Sequence, residues 1–334
     1  MSLPRASRRR TIAYLLGMAL LVAATWNLAD HRAVAESAWA ALRRPSPAWL
    51  ATLPLAILFT FALTGWSLQI LTNRVARLST VGFGEMFGLT LASALGNMAP
   101  VQAGLVGRIA YQHQVHGIPV PASVLLAVQS TLLTLIAGGW LAVAIVVINQ
   151  MQGASWLAAP MTYLLLACAM ADPRWRSSAF TRALLVRCVE VLLSAVRVHA
   201  AFTLTGCAID PMTSLALGAA GNVSNAIPFL GGALGVREWI IAILAPALSG
   251  ITTPEALAAE LLSRCVETLI VVTGGLMTAP GLARRLTEAM RTRPIDPSAD
   301  FSSWSVTMSS GTAGATQRPS EDDSPVNTLP PPSS

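Results

Sequence analysis

The sequence contains no lysine, and all 22 of its basic residues are arginine. This absence excludes mechanisms that need a lysine side chain, such as a Schiff base, a pyridoxal phosphate anchor or a P-loop. Charged residues make up only 11% of the 334 residues, whereas soluble domains carry about 25%. So few charges could not cover the surface of a water-soluble fold. With 54% apolar residues, the composition predicts a multi-pass membrane protein.

Motifs for metals, cofactors and catalysis are also missing. The four cysteines lie in separate apolar stretches, and no two of them have the spacing of metal ligands. His113 and His116 could share a helix face, but no H-E-x-x-H motif or carboxylate partner accompanies them. The sequence has no Asp-x-Asp pair, nucleophile motif or ATP-binding motif. We therefore expect no catalytic residue, no metal site and no cofactor.

Arginines gather at the ends of apolar segments, as membrane proteins arrange them to fix their orientation against the cytoplasmic leaflet. We prefer this interpretation of the net charge of +6 to nucleic-acid binding, and expect no nucleic-acid partner. The clusters are Arg5, Arg8, Arg9 and Arg10, then Arg74 and Arg77, then Arg284, Arg285, Arg291 and Arg293.

Six apolar segments approach or exceed the length of about 20 residues that crosses a bilayer. The fifth carries a polar stripe at helical spacing, formed by Arg187, Glu190, Ser194 and Arg197. It therefore either spans with that stripe facing the protein interior or lies in the interface. We favour spanning, because Leu, Val and Ala fill the rest of the helix. The six segments are Thr11 to Ala29, Ala48 to Leu71, Ala122 to Ile148, Trp156 to Ala171, Ala183 to Cys207 and Glu255 to Ala279.

The last part of the chain differs in composition from the rest. Residues 283–334 end in a stretch rich in Ser, Thr, Pro, Asp and Glu, which cannot bury enough apolar area to become ordered. We therefore predict a membrane domain over residues 1–282 and a disordered cytoplasmic tail over 283–334.

Two further apolar stretches, residues 82–118 and 211–250, are interrupted by matching breaks. Such matches in register predict an internal repeat, with halves at about 48–171 and 183–282. Asn97 matches Asn225, Pro100 matches Pro228, Gly104 matches Gly232 and Gly107 matches Gly235, all 128 positions apart; Gly231 adds a glycine to the second break, and Gly138-Gly139 matches Gly274-Gly275 further on.

Broken helices are tolerated in lipid only where the freed backbone is buried in protein or lines a cavity. Each break is therefore predicted at the tip of a re-entrant helical hairpin. With the N-terminus inside, the order of spans brings the two hairpins in from opposite faces and leaves both termini cytoplasmic. The predicted fold is an all-α integral membrane protein, with six transmembrane helices and two re-entrant hairpins in an inverted repeat. Such breaks point to a transport site near the midplane.

The motifs resemble the lysylphosphatidylglycerol synthase transmembrane-region family, whose members are also called flippase-like domain proteins. The resemblance covers about residues 11 to 282. In the first half it lies in Asn97, Pro100, Gly104 and Arg108, with Leu105 where the family has a glutamate. In the second half it lies in Asn225-Ala226-Ile227-Pro228-Phe229-Leu230-Gly231-Gly232-Ala233-Leu234-Gly235-Val236-Arg237-Glu238, Leu261-Leu262-Ser263-Arg264 and Gly274-Gly275.

The resemblance implies a membrane domain that moves or handles lipids, in a bacterial inner membrane. The synthases continue into a soluble aminoacyl-transferase domain, for which residues 283–334 leave no room, so we do not expect aminoacyl transfer. Short relatives are often associated with polyprenyl-linked glycan or hopanoid pathways, so the resemblance leaves the identity of the lipid open.

Candidate substrate-binding residues are those beside the breaks and on the last helix. A guanidinium close to free backbone N–H groups can bind phosphate, which favours Arg108 and Arg237 over the alternative that they snorkel to the interface. Glu260, Arg264 and Glu267 share one helix face, either as a self-satisfied ion pair or lining a cavity. The set is Arg108, Arg237, Glu238, Arg264, Glu267, Asn97 and Asn225.

Our leading hypothesis is a lipid translocase or lipid-binding membrane protein for an anionic phospholipid, a polyprenyl-phosphate-linked lipid or a hopanoid-type lipid. Its partner would be membrane lipid, with a neighbouring lipid-biosynthesis enzyme as a further candidate. The alternatives are a membrane enzyme, in which Glu238 or Glu267 would be the only available base, and a subunit that scaffolds a biosynthetic enzyme.

Overall fold

The computed structural model describes residues 5–43, 45–76, 80–98, 103–150, 160, 163, 178–225 and 235–292. Within these ranges the regular secondary structure is entirely α-helical, which confirms the predicted all-α class for this part of the chain. The ten helices are α1 (Arg5–Asp30), α2 (Arg32–Leu42), α3 (Pro47–Val75), α4 (Phe83–Asn97), α5 (Ala103–His116), α6 (Val120–Gln150), α7 (Ala179–Leu204), α8 (Pro211–Asn225), α9 (Val236–Ser249) and α10 (Thr253–Thr292).

Two of the described helices, α3 and α6, are long and apolar enough to cross a membrane. Only 22% of the apolar window in α3 and 33% of that in α6 is buried, so neither helix is enclosed like a soluble core helix. Large apolar side chains point outward from both, including Phe59, Trp66 and Val143, which are 58%, 49% and 62% exposed. The presence of six membrane-crossing helices stays a prediction.

Helices occupy five of the six predicted spans. The fourth, Trp156 to Ala171, has only Tyr163 and the helical position 160 among the described residues. The fifth ends at Leu204, three residues before its predicted end, and its stripe faces inward: Arg187, Glu190 and Arg197 are each 5% exposed.

The last helix continues beyond the boundary predicted at residue 282. Residues 283–292 belong to α10, where Arg284 and Glu288 form an i,i+4 ion pair at 2.9 Å that supports the extra turns. The predicted tail boundary is therefore wrong by ten residues. The rest of the predicted tail, residues 293–334, lies outside the described residues.

The two predicted breaks coincide with helix ends. Helix α4 ends at Asn97 and α8 ends at Asn225, and the next helices begin at Ala103 and Val236. Helices α4 and α8 each have 15 residues, and α5 and α9 each have 14. We call α4 with α5 the first hairpin and α8 with α9 the second hairpin, because the two helices of each pair pack against one another.

Each hairpin packs against the long helix that follows the other one in sequence. Helix α4 lies against α10, and α8 lies against α6. Glycines permit both approaches: a Cβ on Gly138 of α6 would lie 3.0 Å from Val223 of α8, and one on Gly274 of α10 would lie 2.9 Å from Leu91 of α4. Gly138 and Gly274, which match in the sequence repeat, therefore make equivalent helix contacts in the two halves.

Helices α3 and α7 form the centre of the bundle, and they pack against each other more extensively than any other described pair. The largest buried apolar cluster joins them to α8, α9 and α10 through residues such as Ile57, Phe202 and Ile241. This arrangement brings the inward-facing stripe of α7 toward the ends of both hairpins.

Candidate functional site

A cavity of about 580 Å³ lies in the middle of the helical bundle. Residues from α3 to α10 line it, so the two hairpins and the two central helices all contribute. The volume lies within the range of about 300–1,000 Å³ that is usual for small-molecule sites. The space could hold a polar head group of ordinary size.

One wall of the cavity is charged, with more cations than anions. Burying such groups is costly unless each has a partner, so the pairing within this wall decides what the cavity can bind. The ionisable lining residues are Arg108, Arg187, Arg197, Arg237, Glu190 and Glu267.

Another part of the cavity lining is apolar and exposed at the surface of the bundle. Val124, Val128 and Leu132 of α6 line the cavity and are 45%, 49% and 49% exposed. These three residues are spaced four positions apart, so their side chains lie about one helical turn apart on the same face of α6. The cavity is therefore amphipathic, with guanidinium groups inside and an aliphatic face toward the surroundings.

Glu267 of α10 is the centre of the charged wall. Its Oε2 lies 2.5 Å from Nη2 of Arg197, 3.2 Å from Nη1 of Arg264 and 3.5 Å from Nη1 of Arg237. One carboxylate thus joins arginines from α7, α9 and α10. Arg197 also donates from Nε to Ser263 Oγ at 2.8 Å, which fixes its orientation.

The adjacent residues Arg237 and Glu238 of α9 pair across to α10. Arg237 Nη2 donates to Glu260 Oε2 at 3.0 Å, and Arg264 Nε lies 3.6 Å from Glu238 Oε1. The ion pair weighed in the sequence, Glu260 with Arg264, is not among the pairs formed by the described residues. Glu260 pairs with Arg237 and Arg264 pairs with Glu238 instead, because α9 packs directly on α10.

A second buried pair lies on α7. Arg187 Nη1 lies 2.7 Å from Glu190 Oε2, and Arg187 Nη2 donates to Ser130 Oγ of α6 at 2.6 Å. Thr64 of α3 donates to Glu190 Oε1 at 3.0 Å. These residues, with Arg197, were absent from the predicted site, although the helical spacing of the stripe on α7 pointed to them.

Arg108 differs from the other arginines of the cavity. It is half-buried, and no carboxylate of the described residues lies within ion-pair distance of its guanidinium. It is the sixth residue of α5, further into its helix than Arg237, which is the second residue of α9. Arg108 and Arg237 therefore share one cavity, but of these two only Arg237 has ionic partners among the described residues.

Asn97 caps the start of α5. Its Oδ1 accepts a hydrogen bond from the backbone N–H of Leu105 at 3.1 Å and so holds the start of α5 against the end of α4. It also borders a smaller cavity of about 140 Å³, which Arg264 and Glu267 line as well. The side chain of Asn225 lies outside the described residues, as do Pro100, Pro228, Gly231 and Gly232.

Two of the predicted break glycines lie inside a helix. Gly104 and Gly107 belong to α5, because the break is shorter than predicted and the helix resumes at Ala103. At Gly104 a Cβ would lie 1.7 Å from the carbonyl oxygen of Ser93, so glycine is required for the close approach of α4. Gly235 precedes α9 with φ of +78°, a left-handed conformation that favours glycine.

At the other end of the first hairpin, Glu85 joins three helices. Tyr111 donates to its Oε1 at 2.5 Å, His116 Nε2 lies 3.1 Å from the same oxygen, and Arg285 Nη1 lies 3.0 Å from Oε2. The hydrogen bond with His116, reinforced by Tyr111 and Arg285, lowers the pKa of Glu85 to about 2 against the effect of burial.

Comparison with known proteins finds no protein family, curated protein or solved structure that matches this chain.

Proposed function

We propose that this protein spans a membrane and binds the anionic head group of a lipid in its central cavity, through which it moves that lipid between leaflets. The observation that carries the proposal is the amphipathic cavity, with arginines on its inner wall and an exposed aliphatic face on α6. A head group would lie against the arginines while its chains stay outside the bundle.

Membrane insertion is supported by the outer surfaces of α3 and α6. Contiguous apolar surface of this extent is unusual on soluble monomers, where it marks contact with a partner or a bilayer. The charged groups instead lie inside the bundle, which is the arrangement expected when the surrounding solvent is lipid. The arginine distribution supports cytoplasmic termini and an inner-membrane location.

An inverted repeat is supported by three features of the two hairpins. The helix lengths recur, both breaks follow an asparagine, and each hairpin packs on the long helix that follows the other one. We propose that the halves are related by an axis in the membrane plane, with both breaks near the cavity. Transport would then proceed by rocking one half against the other. Relationship to the flippase-like domain proteins stays a proposal, carried by the motif residues.

Transport can be tested by reconstituting the protein in liposomes with a fluorescent phosphatidylglycerol and measuring how much label a membrane-impermeant reductant reaches. Val128→Trp fills the exposed aliphatic wall of the cavity. Val143→Trp makes the same change on α6 at a position that does not line the cavity and is 62% exposed.

We expect wild-type protein and Val143→Trp to move the label at rates within twofold of each other. Val128→Trp should be slowed about tenfold, because the bulky side chain obstructs the path of the head group. Equal rates for the two variants, or a wild-type rate equal to that of protein-free liposomes, would contradict the proposal.

A further inference from the structure

The charges around the cavity do not balance, and the imbalance has a definite size. Among the described residues, five arginines and four glutamates form a buried or half-buried ionic cluster at the cavity. If all are ionised, the cluster holds one excess positive charge. The members are Arg108, Arg187, Arg197, Arg237, Arg264, Glu190, Glu238, Glu260 and Glu267.

The excess charge belongs to Arg108. Each of the four other arginines has a carboxylate oxygen within 3.6 Å, whereas no carboxylate of the described residues is that close to Arg108. Leu105, one turn earlier on the same cavity-lining face of α5, is the position from which a carboxylate could have paired with it. An aliphatic residue there leaves the cation for another partner.

The cluster holds unused acceptors as well as unused donors. The Nε atoms of Arg187 and Arg237 are buried and have no hydrogen-bond partner among the described residues, and the same holds for Oε2 of Glu238 and Oε1 of Glu260. Because these atoms are buried, a ligand in the cavity does not reach them. The cation available to a ligand is therefore Arg108, which lines the cavity and is half-buried.

We infer that the cavity selects a head group with a single negative charge, namely a phosphodiester with no further net charge. This inference rests on the proposed function and specifies its ligand. A phosphodiester brings one charge and acceptor oxygens, and so neutralises the cluster. A zwitterionic lipid leaves the excess charge in place, and a phosphomonoester with nearly two charges reverses its sign.

The test is native mass spectrometry of the full chain with equimolar phosphatidylglycerol, phosphatidic acid and phosphatidylcholine at pH 8. The decisive comparison is Leu105→Glu with Leu105→Gln, which differ by one charge at nearly the same shape. Arg108→Gln and Arg108→Lys remove and retain the cation. Arg74→Gln is a matched control on an exposed arginine outside the cavity.

Wild-type protein, Leu105→Gln, Arg108→Lys and Arg74→Gln should retain phosphatidylglycerol about tenfold over either other lipid. Leu105→Glu and Arg108→Gln should lose that preference, the first by supplying the missing carboxylate and the second by removing the cation.

Equal retention by Leu105→Glu and Leu105→Gln, or stronger binding of phosphatidic acid than of phosphatidylglycerol, would overturn the inference and leave the proposed function standing. No preference of the wild type for either anionic lipid over phosphatidylcholine would overturn both. If Leu105→Glu does not fold, the comparison of Arg108→Gln with Arg108→Lys decides between the same outcomes.

Discussion

The two hairpins have similar helices but distribute their charges in opposite ways. In the second hairpin, Arg237 and Glu238 lie in the first turn of α9 and are neutralised by α10. In the first hairpin, Arg108 lies further into α5 and has no ionic partner among the described residues, while the carboxylate of Glu85 is at the far end of α4. The two hairpins therefore have helices of equal length, but their charged side chains have different electrostatic roles.

The paired charges of the second hairpin stabilise the fold, whereas Arg108 of the first hairpin is available to bind a ligand. A buried arginine with several carboxylate partners is a structural element, because removing either partner leaves an uncompensated charge. An arginine beside a cavity without such a partner can accept a ligand at little structural cost. We therefore expect mutations in the second hairpin to act on stability and mutations near Arg108 to act on binding.

The largest effect is expected from Glu267→Gln. This change removes the carboxylate that three arginines share, and breaking a buried ionic network costs about 3–5 kcal/mol. The measurement is the free energy of unfolding in detergent micelles. Glu288→Gln is the control, because Glu288 pairs with Arg284 at an exposed site worth about 0.5 kcal/mol. Similar losses for the two variants would contradict a structural role for the cluster.

A steric change should affect the first hairpin nearly as strongly. Gly104→Ala places a Cβ against the Ser93 carbonyl, so α4 and α5 must separate, at a cost of about 3 kcal/mol in the free energy of unfolding. Gly107→Ala, on the same helix, meets nothing within 4 Å and should be neutral or stabilise by up to about 1 kcal/mol. Equal effects of the two changes would show that the hairpin helices do not cross at Gly104.

An intermediate effect is expected from Glu85→Gln, which should reduce the free energy of unfolding by about 2 kcal/mol at neutral pH. The folded-state pKa is lowered to about 2, so the stabilisation is complete above the ordinary value of 4.5 and is lost as pH falls toward 2. Unfolding measured across that range should show wild type and variant converging. A difference that does not change with pH would contradict the proposed hydrogen bonding.

The smallest effect on stability is expected from Arg108→Gln. Since Arg108 has no ionic partner among the described residues, its loss should change the free energy of unfolding by less than about 0.5 kcal/mol. Arg237→Gln, the equivalent change in the second hairpin, should cost about 3 kcal/mol because it strands Glu260. Thermal unfolding of the two variants side by side would test the comparison directly, and equal losses would contradict it.

The sequence was informative where local signals decide the structure. Asparagine and proline mark the breaks, and the helical spacing of Arg187, Glu190 and Arg197 favours a stripe that faces the protein interior. These features depend on a few neighbouring residues, so they can be found without knowing the tertiary structure.

The pairing of charges could not be predicted in the same way. Glu260 and Arg264 have ideal spacing for a pair within one helix, yet α9 brings Arg237 and Glu238 close enough to take both. Likewise, nothing near Glu85 in the sequence shows that Arg285 lies beside it. Such contacts depend on which helices pack together, and that is decided by the whole bundle.

The most direct test is to locate the lipid head group in the membrane. A photoreactive p-benzoylphenylalanine would replace Thr131, which lines the cavity, or Val143, which does not, in bilayers containing radiolabelled phosphatidylglycerol. The account predicts a cross-link from position 131 that Arg108→Gln abolishes, and one from position 143 that is unchanged by it. No cross-link from position 131, or one that is indifferent to Arg108, would contradict a lipid site in the cavity.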